Sequence, residues 1–538
     1  MKKDKKIKRI KGKIKSAPVI ANKSRFPMLR QIESSIDDVP LEKYTQQALT
    51  EYGSYVVEDR AVPDFRDGLK PVHRAVMWSL ADLGLRPSSG YKKAARTVGD
   101  AIGKYHPHGD QACYGAMVTI ANTMPPMVDG QGNWGTPLDN AAAMRYTEAR
   151  MSKFAHMFML DKDYLEVVPK VPNFSNDAVI PLYLPALMPY LLFNGSVPPP
   201  AYGVRAGNPS FSFVSVANVV TQMLAGKTFK AEALAKQLEL QHPYGCVDIT
   251  EDEAFHELIE TGKGSVRYTA NLDVDYKTRT ININCFIPGS LSSLTNVDKT
   301  LAKLATLKGA KLAYSMQGKK SKGSGPFGAL FVIEAQRSIS EDDFYSLAER
   351  VQKEITSSVS YRLGVTIRKA EESNKFKYLS FVSFLNAWIK YRIALEVKLL
   401  KHQIVKAERD LHYQEVYLFA VENMEQLLKI LPRVLTSNDP DATLAKAMKI
   451  PVEDAKIILD RKVRQLAKME AAAIKAEIKR LKDLIKKLKL DLKEPGQCAS
   501  RKTAELVEAY LKNPDDNTSG LPFVEGGPTG KKKRSRKK

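Results

Sequence analysis

The chain contains little cysteine and no long apolar run. Its four cysteines, Cys113, Cys246, Cys285 and Cys498, stand far apart in 538 residues, and none forms a Cys-x-x-Cys pair. This spacing argues against both a zinc site and a disulfide framework, and unpaired thiols are typical of a reducing compartment. No apolar stretch reaches the roughly 18 residues of a membrane-spanning helix, and the N-terminus lacks the apolar segment of a secretory signal. We therefore expect a cytoplasmic protein without a membrane partner.

Acidic residues are outnumbered, at 60 Asp and Glu against 83 Lys and Arg, so the formal net charge is +23. The excess is concentrated at the ends. Residues 1–16 carry +8 and residues 531–538 carry +7, which leaves +8 for the chain between them. Basic arms of this kind favour a polyanionic partner such as nucleic acid. The arms alone fit a solubility or localisation tail equally well.

A chain of 538 residues is too long for a single domain, and its composition changes along its length. Residues 1–38 are basic, polar and unpatterned, which predicts a disordered arm. Helical patterns punctuated by glycine and proline fill residues 39–175, strand patterns are frequent in residues 176–375, and charged helical patterns run through residues 376–513. Residues 514–538 form a second basic arm that we also predict to be disordered.

Two helical patterns in the region 39–175 surround a tight turn. Residues 69–80 predict a helix that opens with Pro71 in its first turn. Residues 110–122 predict another, which follows the turn His106-Pro-His-Gly. Two helices around a tight turn suit a helix-turn-helix or winged-helix DNA-binding module.

Alternating polar and apolar residues predict strands in the middle region. Residues 265–275 and 279–287 alternate in this way and are joined by a short link, which indicates a β-hairpin. A segment rich in glycine and lysine at residues 318–325 predicts a flexible loop, and residues 329–335 predict a further strand.

Two apolar seams in the C-terminal region repeat at heptad spacing. The first consists of Ile393, Val397, Leu400, Ile404, Ala407 and Leu411, and the second of Ile474, Ile478, Leu481, Ile485, Leu488 and Leu492. Seams about 60 residues apart fit an antiparallel coiled coil with a small globular cap at residues 412–465, although a plain helical bundle has a similar pattern. Pro495 and Gly496 predict the end of the second helix.

The pair Arg145-Tyr146 suggests covalent chemistry on nucleic acid. It lies in the run DGQGNWGTPLDNAAAMRYTEAR at residues 129–150, after a glycine-rich turn. A tyrosine can attack a phosphodiester, but its unperturbed pKa near ~10 makes it a poor nucleophile unless nearby cations favour the phenolate. Because the chain has 22 tyrosines, the pair alone carries little weight.

Two further runs lie upstream, RAVPDFRDGLKPVHR at residues 60–74 and ARTVGDAIGKYHPHGD at residues 95–110. Together with the Arg145-Tyr146 run, they closely resemble the A-type subunit of type IIA DNA topoisomerases, which is the subunit that cleaves DNA. Gyrase and topoisomerase IV belong to this family. The resemblance extends over about residues 40–510 and is most specific in these three runs. It implies an α+β multidomain protein with a winged-helix DNA gate, an α/β tower and a long antiparallel coiled coil that has a globular dimerisation end.

The resemblance also implies roles for individual residues. Tyr146 would attack the scissile phosphate and become a transient 5′-phosphotyrosine in a double-strand break. The groups expected to surround that phosphate are Arg145, Arg60, His106 and His108. The groups expected to bind the DNA are Lys70, His73, Arg74, Arg96 and Lys104.

Each of these residues also fits a structural interpretation when it is considered alone. His106 and His108 fit an exposed turn, and Lys70 and Arg74 fit one solvated helix face. Arg60 fits an ion pair with a nearby aspartate, Asp64 or Asp67. The ordered runs across some 90 residues are what favour the family interpretation.

The family requires Mg²⁺ and ATP, and the sequence lacks a convincing site for either. Asp273 and Asp275 form only a pair of carboxylates on one strand. Residues 224–228 resemble the end of a P-loop, but Thr221 stands where its first glycine belongs, and a predicted helix ends at Gly226. The resemblance therefore implies that a B-type partner subunit binds both cofactors, and that the chain acts on double-stranded DNA as a homodimer.

The sequence departs from the family in three respects. Gln111 and Gly115 occupy positions where bacterial relatives commonly carry a Ser or Thr and an Asp or Glu that contact quinolone drugs. Pro199 or Pro200 stands in place of the DNA-bending isoleucine, and proline can insert between base steps. The C-terminal β-pinwheel of the family does not follow the helical region, so we expect a short, phage-like form without gyrase-like supercoiling.

The preferred interpretation is the DNA-cleaving subunit of an ATP-dependent type IIA topoisomerase that relaxes or decatenates DNA. The alternatives are an A-type gyrase subunit with supercoiling activity, a non-catalytic architectural DNA-binding protein and a tyrosine recombinase. An intact Arg145-Tyr146 pair argues against the architectural protein. A recombinase would space its arginines and histidine differently.

Overall fold

The computed structural model describes residues 40–195, 201–242, 244–315, 330–367, 375–461 and 470–515. Helices and antiparallel sheets both contribute to it, which confirms the α+β class. The chain divides into two compact units. The first comprises the described residues up to Arg392 together with those from Ala499 onward, and the second comprises Ile393–Cys498. The predicted loop at residues 318–325, the N-terminal arm and nearly all of the C-terminal arm lie outside the described residues.

The N-terminal part of the first unit combines short helices with a small sheet. Its helices are α1 (Leu41–Val56), α2 (Pro71–Asp82), α3 (Ala94–Asp100), α4 (Asp110–Ala121), α5 (Lys153–Phe158) and α6 (Lys162–Leu165). Its strands β1 (Lys92–Lys93), β2 (Val128–Gln131) and β3 (Glu148–Met151) pair antiparallel in the order β1-β3-β2. Single π-helical turns at Val57–Ala61 and Ala101–Tyr105 extend α1 and α3.

The two predicted helices are confirmed as α2 and α4, but α3 and the π-helical turn at Ala101–Tyr105 lie between α2 and the turn at His106. Helix α2 begins at Pro71, because the fixed proline backbone suits the first turn, where an N–H has no helical partner. Helix α4 begins at Asp110, whose acidic side chain complements the N-terminal end of the helix dipole. Both helices bury apolar side chains, including Val76 and Leu80 on α2 and Met117 on α4, and so pack into one core.

The remainder of the first unit is a mixture of helices and antiparallel sheets. Its helices are α7 (Phe213–Leu224), α8 (Ala231–Ala235), α9 (Asp252–Thr261), α10 (Leu294–Ala305) and α11 (Glu341–Ile355). Its strands are β4 (Lys170–Pro172), β5 (Val179–Pro181), β6 (Val247–Asp248), β7 (Lys263–Thr269), β8 (Leu272–Asp275), β9 (Thr280–Ile283), β10 (Ala310–Ser315), β11 (Phe331–Ala335), β12 (Ser357–Arg362), β13 (Gly364–Ile367) and β14 (Lys375–Tyr378). The sheets have the orders β10-β11-β9-β8, β12-β7-β6, β13-β14 and β4-β5.

The hairpin predicted from residues 265–275 and 279–287 is only partly right. Strands β8 and β9 do form a hairpin, but residues 265–269 belong to β7, which lies in a different sheet between β12 and β6. The alternating pattern continues across the change of sheet, because alternation identifies the buried face of a strand and not its pairing partner. The strand predicted at residues 329–335 is confirmed as β11.

The second unit contains two long antiparallel helices and a helical cap. Helix α12 (Phe381–Glu422) enters the unit at Ile393, and the other helices are α13 (Met424–Leu435), α14 (Pro440–Met448), α15 (Val452–Leu459) and α16 (Ala471–Asp491). Three ion pairs join α12 to α16, namely Lys475–Glu422 at 2.8 Å, Lys482–Glu415 at 3.0 Å and Lys489–Glu408 at 2.7 Å. Each step is seven residues up one helix and seven down the other, so the two helices run antiparallel.

The heptad seams lie where this pairing requires them. Leu400 and Ile404 of α12 pack with Leu488 of α16, and a separate cluster joins the ends of both helices to α13, α14 and α15. The cap is shorter than predicted at its start, because α12 continues as one helix to Glu422 instead of ending near residue 412. The predicted break after the second seam is confirmed, since α16 ends at Asp491 and a new helix, α17 (Pro495–Lys512), begins at Pro495.

The end of α17 packs beside α5 in the first unit. The buried ring of Tyr510 lies 6.0 Å from that of Phe154 and 5.2 Å from that of Phe213, measured between centroids. Just beyond, the carboxylate of Asp515 accepts hydrogen bonds from the backbone N–H groups of Lys153 at 2.6 Å and Phe154 at 2.9 Å. These N–H groups belong to the first turn of α5, which has no helical acceptor for them. Burial raises the pKa of the Asp515 carboxyl.

Candidate active site

Tyr146 projects from a turn between β2 and β3. The residue is 62% exposed, although its neighbour Thr147 is fully buried. The backbone N–H groups of Tyr146 and Thr147 both point to the carbonyl of Ala143, at 2.8 and 3.4 Å. The guanidinium carbon of Arg145 lies 4.6 Å from the centre of the Tyr146 ring, so a permanent cation accompanies the phenol.

The backbone around this exposed ring is held on both sides. Ala94 and Ala95, at the start of α3, donate their N–H groups to the carbonyls of Thr147 at 2.9 Å and Met144 at 3.1 Å. The buried hydroxyl of Tyr114 on α4 lies 2.6 Å from the Ala142 carbonyl and 2.8 Å from the Thr147 hydroxyl. The turn therefore presents a solvent-facing phenol on a fixed backbone.

The glycine-rich run before the turn has a packing reason. A side chain at Gly130 would collide with the indole of Trp134, which is fully buried beneath the run. At Gly135 the backbone has φ +85°, and an added Cβ would lie 2.9 Å from the Ala141 nitrogen. Only glycine fits both places without strain.

Two ion pairs beside the turn were missed by the sequence analysis. Lys93 lies 2.9 Å from Glu148 and also donates to the Tyr146 carbonyl at 3.3 Å. Arg150 lies 2.8 Å from Asp129 and 4.1 Å from the centre of the Tyr91 ring. The run Tyr91-Lys-Lys just before the ARTVGD motif was the one sequence feature that could have indicated these cations. The sequence alone did not show that their carboxylate partners lie tens of positions away.

His106 and His108 stack on each other, with ring centres 4.1 Å apart. Desolvation lowers the pKa of His106 to about 4, and the adjacent His108 and the cation of Arg60 act in the same direction. His106 is therefore neutral at neutral pH. Its imidazole can donate or accept one hydrogen bond there, but it adds no positive charge.

Arg60 stands at the end of the π-helical turn after α1 and is exposed. The nearby aspartates have other arginine partners, since Asp64 lies 2.6 Å from Arg66 and Asp67 lies 2.7 Å from Arg74. The structural interpretation of Arg60 as an ion-pair partner of Asp64 or Asp67 is therefore wrong. Its guanidinium lies close enough to His106 to lower that pKa, and the two belong to one group.

Arg74 does not lie where the sequence analysis placed it. The side chain is only 1% exposed, and its guanidinium donates to both carboxylate oxygens of Asp67 and to the Leu69 carbonyl. The expectation that Arg74 holds the DNA backbone is corrected, because its charge is already neutralised inside the domain. The alternative of a solvated helix face is wrong for the same reason.

Lys70 and His73 remain near the surface of the same helix start. Burial lowers the pKa of the Lys70 ammonium. Desolvation, with Lys70 and Arg74 as neighbouring cations, lowers the pKa of His73 to about 3. Because burial is the main cause, the shift shows that a charged imidazole is unfavourable at this place.

Arg96 and Lys104, the other two cations predicted to bind DNA, differ in their ion pairs. Arg96 on α3 is exposed and makes no ion pair with any described residue. Lys104 lies 2.9 Å from Asp82 and 2.8 Å from Asp100, and hydrogen bonds to these carboxylates raise its pKa. Lys104 remains 45% exposed beside these carboxylates, so its role in DNA binding stays a prediction. Pro199 and Pro200 lie outside the described residues.

Gln111 and Gly115 are both exposed and lie one turn apart on α4. A Cβ added at Gly115 would have no described atom within 4 Å. The position therefore has room for a larger side chain.

The candidate site consists of two groups. Arg145 and Tyr146 form one, and Arg60 with the two stacked histidines forms the other. Within the described parts of the chain, no hydrogen bond or ion pair joins the two groups. The chain thus carries both sets of predicted residues, and none of the described polar contacts links them.

The segment that resembles a P-loop has an ordinary helical structure. Helix α7 extends to Leu224, and Gly226 follows it with φ +102°. Lys227 donates to the side chain of Gln222 at 2.7 Å and lies over the Phe229 ring. The described residues include no group of three or more His, Cys, Asp or Glu side chains that could hold a metal ion. No helix in the described ranges is both long and apolar enough to cross a membrane.

Comparison with known protein families identifies the family to which the chain belongs. The model of the A-type subunit family of DNA gyrase/topoisomerase IV matches residues 60–506. The chain belongs to this family. The match includes both groups of the candidate site.

Several curated A-type subunits of topoisomerase IV and gyrase are similar to the chain. The A-type subunit of DNA topoisomerase 4 from Haemophilus influenzae is 31% identical over 515 residues, which cover 91% of this chain and 66% of the relative. Its counterpart from Pseudomonas aeruginosa is 31% identical and covers 92% and 65%, respectively. The A-type subunit of DNA gyrase from Campylobacter fetus is 32% identical and covers 89% and 54%. The chain spans just under two thirds of the length of the first two relatives and about half of the third.

Proposed function

We propose that this chain is the DNA-cleaving and rejoining subunit of an ATP-dependent type IIA DNA topoisomerase. The observation that carries the proposal is the exposed phenol of Tyr146, with Arg145 over its ring, on a backbone fixed by α3 and α4. Family membership over residues 60–506 supports the same activity.

In the proposed reaction, the Tyr146 oxygen attacks a phosphorus atom of the DNA backbone. The new bond is a phosphotyrosine at the 5′ end, and the bond that breaks joins the phosphorus to the 3′ oxygen. The phenolic proton is lost and a proton is taken up by the departing 3′ oxygen, so one phosphodiester replaces another. Reversal of the same step rejoins the strand.

Cations must accompany this step because negative charge develops on the phosphate oxygens. Arg145 is adjacent to the nucleophile in the same turn. Arg60 with the neutral His106 and with His108 forms a second phosphate-binding group, which we propose to act on the same phosphate once DNA and a second protomer are present. Lys70, His73, Arg96 and Lys104 are proposed to hold the DNA backbone on either side.

The architecture is proposed to divide these tasks. We assign residues 39–175 as a winged-helix DNA gate, built from α2, α3, α4 and the β1-β3-β2 sheet. Residues 176–375 form the tower, and residues 376–513 form an antiparallel coiled coil with a dimerisation end. Leu428 and Leu435 of α13, seven residues apart and 50% and 64% exposed, support an apolar contact with a second copy of that end. A homodimer supplies the two tyrosines that a double-strand break requires.

Mg²⁺ and ATP are proposed to be bound by a B-type partner subunit. The described residues do not offer a carboxylate cluster that fits Mg²⁺, and Lys227 is not in a phosphate-binding loop. When bound, Mg²⁺ would supply additional positive charge near the cleaved phosphate, and ATP would drive strand passage.

The proposal is tested by trapping the covalent intermediate. The chain is incubated with a B-type topoisomerase subunit, Mg²⁺ and supercoiled plasmid, then denatured, and protein-linked linear DNA is measured. The natural chain and a Tyr345→Phe control, which loses an exposed phenol on α11, should both give linked DNA. Tyr146→Phe should bind DNA and give none. Cleavage by Tyr146→Phe would refute the assignment, and binding without cleavage by every form would instead favour the architectural alternative.

A further inference from the structure

The hydroxyl of Tyr114 ties together the two ends of the turn that carries Arg145 and Tyr146. It contacts the carbonyl of Ala142 before the pair and the side chain of Thr147 after it, at 2.6 and 2.8 Å. Both Tyr114 and Thr147 are buried, whereas Tyr146 between the two contacts is exposed. A single side chain on α4 therefore fixes the base of the turn without reaching its exposed tip.

The direction of these bonds follows from the number of protons. A phenol has one O–H and a backbone carbonyl can only accept, so Tyr114 donates to Ala142. The Tyr114 oxygen then accepts from the Thr147 hydroxyl. The chain of hydrogen bonds runs from Thr147 through Tyr114 to Ala142, and loss of the Tyr114 hydroxyl removes both bonds.

We propose that Tyr114 is a positioning residue for the nucleophile Tyr146. This inference rests on the proposed function, because it assigns Tyr114 a part in the reaction of Tyr146. Tyr114 touches neither the substrate nor the reacting oxygen. It acts by limiting the turn to one backbone conformation, so that the phenol of Tyr146 approaches the phosphorus in line with the departing 3′ oxygen and stays in reach of it for rejoining.

The structure contains a matched pair for comparison. Tyr190 and Thr123 form a second buried tyrosine–threonine contact in the same unit, with 2.9 Å between their hydroxyl oxygens. That contact does not involve the residues on either side of Tyr146. Tyr114→Phe and Tyr190→Phe therefore remove the same chemical group from two buried places, and only the first releases the turn.

The experiment measures the rate of covalent complex formation by the full chain with a B-type subunit, Mg²⁺ and a short DNA duplex, quenched with denaturant over time. DNA affinity and the melting temperature of each variant are measured in parallel. Tyr114→Phe should cleave roughly ten- to a hundredfold more slowly, since a misplacement near 1 Å can cost about 10²-fold. Its DNA affinity should equal that of Tyr190→Phe, which should cleave at the rate of the natural chain.

Threonine variants make the test independent of the folding of Tyr114→Phe. Thr147→Val keeps the side-chain shape but removes the donor to Tyr114, so it should slow cleavage less than Tyr114→Phe does. Thr147→Ser retains the hydroxyl and should restore the natural rate. Equal cleavage rates for Tyr114→Phe and Tyr190→Phe, or a failure of Thr147→Ser to exceed Thr147→Val, would overturn the inference. If the natural chain forms no covalent complex, the proposed function itself is wrong.

Discussion

The guanidinium of Arg74 lies 2.7 Å from the carboxylate of Asp67, and both residues are buried. Asp67 also accepts from the backbone N–H groups of Leu69 at 3.0 Å and Leu184 at 2.9 Å. The pair thus joins the start of α2 to a segment more than 100 residues later in the chain. The same run also contains residues predicted to bind DNA. Mutations in it must therefore be tested for their effect on folding stability as well as on DNA binding.

Arg74→Ala should destabilise the first unit strongly. It leaves the Asp67 carboxylate buried without its cation, and removal of one partner of a buried ion pair typically costs about 3–5 kcal/mol. Urea unfolding monitored by tryptophan fluorescence measures the change. Arg96→Ala is the matched control, because Arg96 is exposed, and it should alter the free energy of unfolding by no more than about 0.5 kcal/mol. Comparable stability of the two variants would contradict the assignment of Arg74 to the interior.

The first unit should lose stability as the pH falls from about 6.5 toward 4. Burial between the rings of Tyr244 and Tyr268 lowers the pKa of His242 from its ordinary value of 6.5 to about 4. Because the pKa of His242 is lower in the folded chain, the unfolded chain binds a proton between about pH 4 and 6.5 that the folded chain does not bind. The free energy of unfolding therefore rises with pH across this range. Melting temperatures from pH 4.5 to 7.5 should show a shallower slope for His242→Gln. The control His256→Gln, at a half-buried position on α9, should keep the natural slope, and identical slopes for both variants would count against the prediction.

Quinolone drugs should poison the natural chain weakly. Gln111 and Gly115 provide neither the small hydroxyl nor the carboxylate that the family resemblance implies for drug contact, and each lost charge-assisted hydrogen bond is worth about 1.5–3 kcal/mol. That corresponds to roughly tenfold or more in affinity per anchor. Gln111→Ser combined with Gly115→Asp should increase drug-stabilised cleavage in a ciprofloxacin series, because the space beside Gly115 is open. Gln111→Ala with Gly115→Ala is the control, and an equal response from both double variants would show that these positions do not face the drug.

Reversing one charge between α12 and α16 should weaken the second unit, and reversing both should restore it. Glu415→Lys places a cation opposite Lys482, which now lies 3.0 Å from the glutamate. Exposed pairs contribute about 0.2–1 kcal/mol, so the effect on thermal unfolding is small but measurable. Adding Lys482→Glu should recover the loss, whereas adding Lys479→Glu, whose lysine makes no ion pair in the described residues, should not. Recovery by both would argue against the antiparallel register.

The elements that were predictable from the sequence are those specified by local patterns. Pro71 and the turn at His106 set the starts of α2 and α4, and the heptad seams indicated two helices that the structure pairs antiparallel. The hairpin beginning at residue 265 was misassigned, because the alternation of polar and apolar residues does not reveal that β7 and β8 belong to different sheets. Arg74 was misassigned for a similar reason, since its carboxylate partner Asp67 becomes a buried neighbour only in the folded chain. Tyr114 carried no local signal, because its partners lie 28 and 33 positions away.

Asp515 caps the first turn of α5, which directly follows the strand after Tyr146. Asp515 and α5 both belong to the first unit, and the second unit, Ile393–Cys498, lies between them in the sequence. During synthesis, the first unit cannot complete its packing around Phe154 and Tyr510 until the whole inserted unit has left the ribosome. The region that carries Tyr146 is thus synthesised early, but its packing is completed only after Tyr510 and Asp515 have been made, about 360 residues later.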